Sequence, residues 1–235
     1  MKIAPNVIFL FKDSDGLATV IADALQPNPI SAFQRLNESF DLPLDRYGIS
    51  DSKACGKLIH FVDDGGNYQV SLMLLEKYEP PNLVCAVHEV LSQILQTSIG
   101  LPSLVLPFAG TISQLKWDTK SMGVVGKKAE LYGVHVGPET DTMVSITSRL
   151  AKLPSSLQIH CEYVACFLQL VQALNLPTSV LICHRESVGE ELQILYNIGE
   201  LLATTFGLSF MKDKIKWNPV KTSRDNEQPW RTLYG

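Results

Sequence analysis

Residues able to do chemistry stand beside two apolar runs of this 235-residue chain. Cys183-His184-Arg185-Glu186 closes the run Ser179–Cys183, and His88-Glu89 follows the run Leu83–Val87. Read as buried strands, both runs deliver these side chains to the end of a sheet where α/β proteins place ligand sites. A thiol and an imidazole supply a nucleophile and a base. A hydrolase or phosphorylase built on them requires His88, Cys183 and His184 to meet in one pocket. Adjacent strand residues point to opposite faces, which favours a buried cysteine and a strand-end histidine instead.

The paired acids Asp13/Asp15 and Asp63/Asp64 lie in turn-like sequence, where capping and turn formation account for them. Gly123-Val124-Val125-Gly126-Lys127-Lys128 lacks the glycine spacing of a phosphate loop, and Lys128 stands where the magnesium-binding hydroxyl belongs. The sequence contains no Gly-x-Gly-x-x-Gly after a strand, no Gly-x-Ser-x-Gly elbow and no His-Glu-x-x-His helix. No catalytic residue, cofactor site or metal site is expected.

The chain's last residues are Leu233-Tyr234-Gly235. Such an ending can enter a narrow pocket: the carboxylate pairs with a basic group, the phenol donates a hydrogen bond, and leucine fills an apolar notch. The competing reading folds Trp230 and Tyr234 back onto the body. Six basic residues against three acidic ones give Lys212–Gly235 a net charge of +3, so the remainder of a chain of net charge −4 carries −7. Two units are expected, an α/β body over 1–211 and an extended basic tail over 212–235.

The body must position these groups with alternating strands and helices. Apolar residues at three- and four-residue steps predict a long buried helix over Pro154–Asn175, stopped by Asn175 and Pro177 and followed by the strand Ser179–Cys183. A strand over Asn6–Phe11 precedes a helix carrying Leu17, Val20, Ile21, Ala24 and Leu25. Asn28–Lys53 reads as loop with at most one short helix near Ala32–Phe40. Lys57–Val62 and Tyr68–Glu76 form a hairpin about Asp63–Asn67, the second strand with a wetter and a drier face. Leu83–Val87 reads as a third strand passing into a helix that carries Val90, Leu91, Ile94 and Leu95. Leu104–Phe108 and Lys128–Val136 are further strands, with Thr111–Lys127 a loop. Pro138-Glu139 opens a helix with Met143, Ile146, Leu150 and Leu153 on one side. Ser187-Val188-Gly189-Glu190 fits a capping box before a helix reaching Phe206 and closed by Gly207. The expected fold is a single α/β domain with a mostly parallel, mixed central sheet flanked by helices.

Bulk properties restrict the class further. The mildly acidic balance argues against a nucleic-acid partner. Five cysteines without close pairing suit a reducing compartment. With no membrane-spanning run and no signal-peptide core, the expected location is cytoplasmic, with the nucleus also open to it.

Ile146–Ser187, with its Leu-Pro before the long helix, Leu176-Pro177 and the strand Ser179–Cys183, resembles the proteasome assembly chaperone 1 family. The terminal Leu233-Tyr234-Gly235 is similar to that family's hydrophobic–tyrosine–any-residue ending. The amino-terminal half matches only in its strand–helix order, and the acidic leader of some members does not precede the first strand. The resemblance implies a non-catalytic chaperone that pairs with a second assembly chaperone of similar fold. Such a heterodimer holds α subunits of the 20S proteasome while their ring forms. Leu233, Tyr234 and the Gly235 carboxylate would then dock between neighbouring α subunits. The alternatives are the enzyme described above and an adaptor subunit of another complex.

Overall fold

The first strand, β1 (Asn6–Phe11), is apolar on both faces and sits near the middle of an eight-stranded sheet. That follows from Val7–Phe11, five consecutive hydrophobic residues, since only a strand covered on both sides can hide them. The structure is a computed structural model that describes residues 1–13, 16–98, 100–111, 113–116, 131–185 and 191–215, with Arg185 described by its backbone only. Leu233, Tyr234, Gly235, Asp15, the loop Gly123–Lys128 and the capping box Ser187–Glu190 lie outside the described residues.

After β1 come α1 (Leu17–Ala24), β2 (Leu25–Pro27), β3 (Gln34–Leu44), β4 (Ile49–Val62) and β5 (Tyr68–Leu75). There follow α2 (Asn82–Thr97), β6 (Ser103–Thr111), β7 (Leu115–Lys116), β8 (Leu131–Val136), α3 (Asp141–Thr147), β9 (Ala151–Lys152) and β10 (Gln158–Ile159). Then come α4 (Glu162–Ala173), β11 (Thr178–Arg185), α5 (Glu191–Phe206) and β12 (Leu208–Phe210), and the described chain ends just after a 3-10 turn over Lys212–Lys214. Strand order in the large sheet is β3-β4-β5-β1-β6-β11-β8-β9. The pairs β5–β1, β1–β6, β6–β11 and β8–β9 are parallel, while β3–β4, β4–β5 and β11–β8 are antiparallel. The result is the expected mixed, mostly parallel α/β domain.

Helices cover both faces. On the first face α2 and α4 pack over Val7, Phe9, Leu58, Met73, Leu104 and Val180. On the second, α1 and α5 pack over Ile8, Leu10, Phe61, Leu72, Val105 and Leu181. The alternation of these numbers along each strand is the period-two geometry of a pleated sheet. No helix among the described residues is long and apolar enough to cross a membrane.

Four expectations are corrected. Gln34–Leu44 is an eleven-residue strand rather than loop or helix. It lies at the sheet edge with both faces largely wet, so nothing forces the apolar alternation that marks a half-buried strand. Leu83–Val87 belongs to α2 from its first residue. Its run merges with Val90, Leu91 and Ile94 into one helical stripe, and a short apolar run cannot by itself distinguish strand from helix. α4 begins at Glu162, not Pro154, because Gln158–Ile159 pairs antiparallel with Leu115–Lys116 and Cys161 is still extended. β5 has no wet face in its body, since Val70–Leu75 is buried on both sides.

The local stop signals behave as their chemistry demands. Asn175 takes φ 50° at the end of α4, and Gly207 takes φ 66° after α5. In the β4–β5 hairpin, Asp63 Oδ1 accepts the amides of Gly65 and Asn67, each at 2.9 Å, while Gly66 supplies φ 78°.

Candidate functional site

The chain places β5 on one side of β1 and then, through α2, β6 on the other. A crevice opens at the carboxyl ends of strands where such a sheet changes its direction of growth. Here it is a cleft of about 420 Å3, lined at its floor by Leu10, Ile21, Leu106 and Val164. Its wall is aromatic: the Tyr163 ring lies 5.0 Å from Phe11 and 6.0 Å, edge-on, from Phe108. Ion pairs stand at its rim, Lys12–Glu76 at 2.8 Å and Lys77–Glu79 at 3.1 Å. α1 and α4 both begin at this cleft, and neither has a side-chain cap.

Two groups lining the cleft are shifted by burial toward their neutral forms. Burial pushes the Cys161 thiol up, away from the reactive thiolate. Burial also pushes the Tyr78 phenol up to about 12. Its hydroxyl donates to the Lys53 carbonyl at 2.8 Å and accepts the Cys55 amide at 2.7 Å, tying the segment after β5 to β4. The arrangement can bind an apolar group against its rings while the rim charges remain in water.

The sequence-nominated residues do not meet. His88 lies within α2, not at a strand end, and its Nδ1 is 2.6 Å from the Tyr47 hydroxyl. Tyr47 belongs to the short 3-10 turn between β3 and β4, and Arg46 beside it reaches Glu89 Oε2 at 2.5 Å. Cys183 is fully buried on the second face, opposite the face that α2 covers. His184 falls on the first face, yet β11 is four strand places from β4, about 19 Å at ordinary strand spacing. The hydrolase geometry that required convergence is therefore overturned. Among the described residues, no group of three or more His, Cys, Asp or Glu could hold a metal ion.

A serine–histidine–carboxylate row escaped sequence reasoning. Ser71 Oγ lies 2.9 Å from His60 Nδ1, and His60 Nε2 faces Glu38 Oε2 at 3.9 Å. Both Ser71 and His60 are fully buried, so no substrate atom can approach, and the row is structural. Counting residues outward from the Asp63–Asn67 turn sets His60 opposite Val70; the register shift between Phe61 and Val62 moves it opposite Ser71, so the pair was not legible in the sequence.

Fold and cleft together define a doubly covered α/β protein with its crevice at the strand ends. Residues 1–235 match the family described as a domain of unknown function, DUF7894, and the chain belongs to that family. No curated protein matches. Among solved structures, it is similar to Pyrococcus furiosus PbaB, an archaeal proteasome activator, at 10% identity and a TM-score of 0.53, covering 89% of this chain and 87% of that one. A Thermoplasma acidophilum protein of unknown function aligns at 11% identity and 0.55, over 90% and 80% of the two chains. Pyrococcus furiosus PbaA, an archaeal homolog of proteasome-assembly chaperone, aligns at 12% identity and 0.50, over 88% and 84%. At these identities the likeness is one of fold.

Proposed function

We propose that this chain is a non-catalytic chaperone of 20S proteasome assembly, working in the cytoplasm and nucleus as a heterodimer with a second assembly chaperone. The observation that carries the reading is the likeness of fold to PbaB, spanning nearly nine-tenths of both chains, which PbaA repeats. The separation of His88, Cys183 and His184 supports a protein that acts by binding. In this reading the body, 1–211, holds α subunits during ring formation, and the tail, 212–235, carries the docking end. The Gly235 carboxylate pairs with a basic group between neighbouring α subunits, the Tyr234 phenol donates a hydrogen bond there, and Leu233 fills an apolar notch.

Deletion of residues 233–235 tests this directly. The expected result is a loss of α-subunit affinity of at least about tenfold, as removing one charge-assisted contact entails. The melting temperature and the heterodimer should be unchanged. Equal affinity of the truncated and full chains for α subunits removes the docking mechanism. Absence of α subunits from material co-purifying with the full chain removes the chaperone reading itself.

A further inference from the structure

The two ends of the eight-stranded sheet are built differently. β9 closes one end with only two residues, Ala151–Lys152, which leaves little backbone to pair. β3 closes the other with eleven, and among the described residues no strand lies beyond it. An edge of that length presents a row of unpaired N–H and C=O groups, and folded proteins ordinarily blunt such rows with lysine, proline or bulges. β3 has a proline and a bulge at one end alone, Pro43 and the register shift between Pro43 and Leu44, and elsewhere carries only the charges of Arg35, Glu38 and Asp41. The rest, Gln34–Leu42, contains no lysine and no proline.

Its charged side chains each have a partner within the molecule, although those of Glu38 and Asp41 stay exposed. Arg35 donates to the Ala22 carbonyl at 3.2 Å. Asp41 accepts from the Cys55 thiol at 2.7 Å and pairs with Lys53 at 3.2 Å. Glu38 leans toward His60. Asn37, Glu38 and Ser39 are exposed, and so is Leu36, at 40%, one of the exposed large hydrophobics among the described residues.

We propose that β3 is a self-association edge, pairing antiparallel with β3 of a second copy about a two-fold axis at Ser39. The register follows from three constraints. A two-fold perpendicular to the sheet keeps like faces on one side, so opposed residues share parity. Pro43 stops the ladder, so an axis at Ser39 gives a paired stretch Leu36–Leu42, an axis at Phe40 only Glu38–Leu42, and an axis at Asn37 would set the exposed Leu36 against Glu38. Centring at Glu38 would oppose two carboxylates, whereas centring at Ser39 opposes no like charges. In this register Leu36 lies opposite Leu42 of the second copy, Asn37 opposite Asp41, Glu38 opposite Phe40 and Ser39 opposite itself. The exposed leucine is thereby covered twice, and an amide faces a carboxylate on both sides of the axis. A single added ladder is a small interface, of the size class below about 1,200 Å2 in which association is transient.

This inference is independent of the chaperone reading, and its test uses the purified full chain without proteasome subunits. Only the Ser39-centred register sets residue 39 against itself, so a charge there acts on the dimer alone. Light scattering coupled to gel filtration should find the chain dimerising by about 100 µM, as small interfaces do. Ser39→Asp and Ser39→Lys should each weaken dimerisation about tenfold or more through like charges directly opposed, and an equimolar mixture of the two should restore it. Unchanged melting temperatures confirm that these exposed substitutions leave the fold intact. A chain monomeric at that concentration, variants that dimerise like the parent, or a mixture that fails to recover would each overturn the proposal.

Discussion

Two histidines are each held by a serine directly opposite on an antiparallel neighbour, and the two pairs do different work. His60 of β4 faces Ser71 of β5, and His135 of β8 faces Ser179 of β11. The Oγ–Nδ1 distances are 2.9 and 3.2 Å. At the first pair, Ser71 Oγ accepts the Ala4 amide at 2.9 Å, which leaves its own proton for Nδ1 and places the imidazole proton on Nε2. That nitrogen is buried without a hydrogen-bond partner, with Glu38 3.9 Å away. At the second pair, Thr147 Oγ1 donates to the Met143 carbonyl at 3.0 Å and so accepts from His135 Nε2 at 2.8 Å. Both nitrogens of the partly buried His135 are satisfied. The same two side chains thus form a dry crosslink that pins the amino terminus to the sheet and a wet clasp that fastens α3 to β8. Burial and the third partner, not residue identity, set what each is worth.

The largest expected effect separates them. Ser71→Ala strands two buried groups, the Ala4 amide and His60 Nδ1, and should cost about 2–4 kcal/mol in urea unfolding. Ser179 is itself buried, but Ser179→Ala frees one nitrogen of a partly exposed histidine that keeps its Thr147 contact, and should cost less, about 1 kcal/mol. Pairing Ser71→Ala with His60→Leu removes donor and acceptor together, so the double variant should recover part of the single loss. Equal costs for Ser71→Ala and Ser179→Ala would dissolve the distinction between dry and wet pairs.

The contrast also marks what was legible beforehand. Strands buried on both faces announced themselves: Asn6–Phe11, Leu104–Phe108 and Ser179–Cys183 are all where their apolar runs put them. So did the β4–β5 hairpin, because Asp63–Asn67 carries its own turn chemistry. Illegible were the features set by distant partners. β3 reads as loop because its stability comes from the β4 ladder, not from its side chains. The amino-terminal boundary of α4 is decided by β7, more than forty residues upstream. The strand-end cysteine and histidine at 183 and 184 were correctly placed on β11. His88 was misplaced because five apolar residues ahead of it fit a strand as well as a helix. The cleft draws on β1, the segment after β5, α2, β6, α1 and α4, a meeting that no local window contains.

A smaller effect sharpens the comparison through pH. Burial holds the His60 pKa below its ordinary value of 6.5, with the Glu38 carboxylate pulling partly back. The unfolded chain therefore takes up a proton near pH 6.5 that the native state refuses. Wherever the unfolded state binds more protons, stability rises with pH. The His60 contribution is thus complete above pH 6.5 and is lost as pH falls through the window beneath it. Asp63, held below the usual carboxylate range chiefly by the Asn67 and Gln69 contacts of its turn, loses its contribution only at lower pH, as pH falls from about 4. Urea midpoints compared at pH 7.5 and 5.5 should therefore fall for the parent and fall less for the His60→Leu/Ser71→Ala double variant. Glu38→Gln removes the one attraction that favours the protonated ring, so its acid loss should be steeper than the parent's. A Glu38→Gln profile shallower than the parent's would mean that His60 is charged in the native state, and the dry pair would then be an ion pair instead.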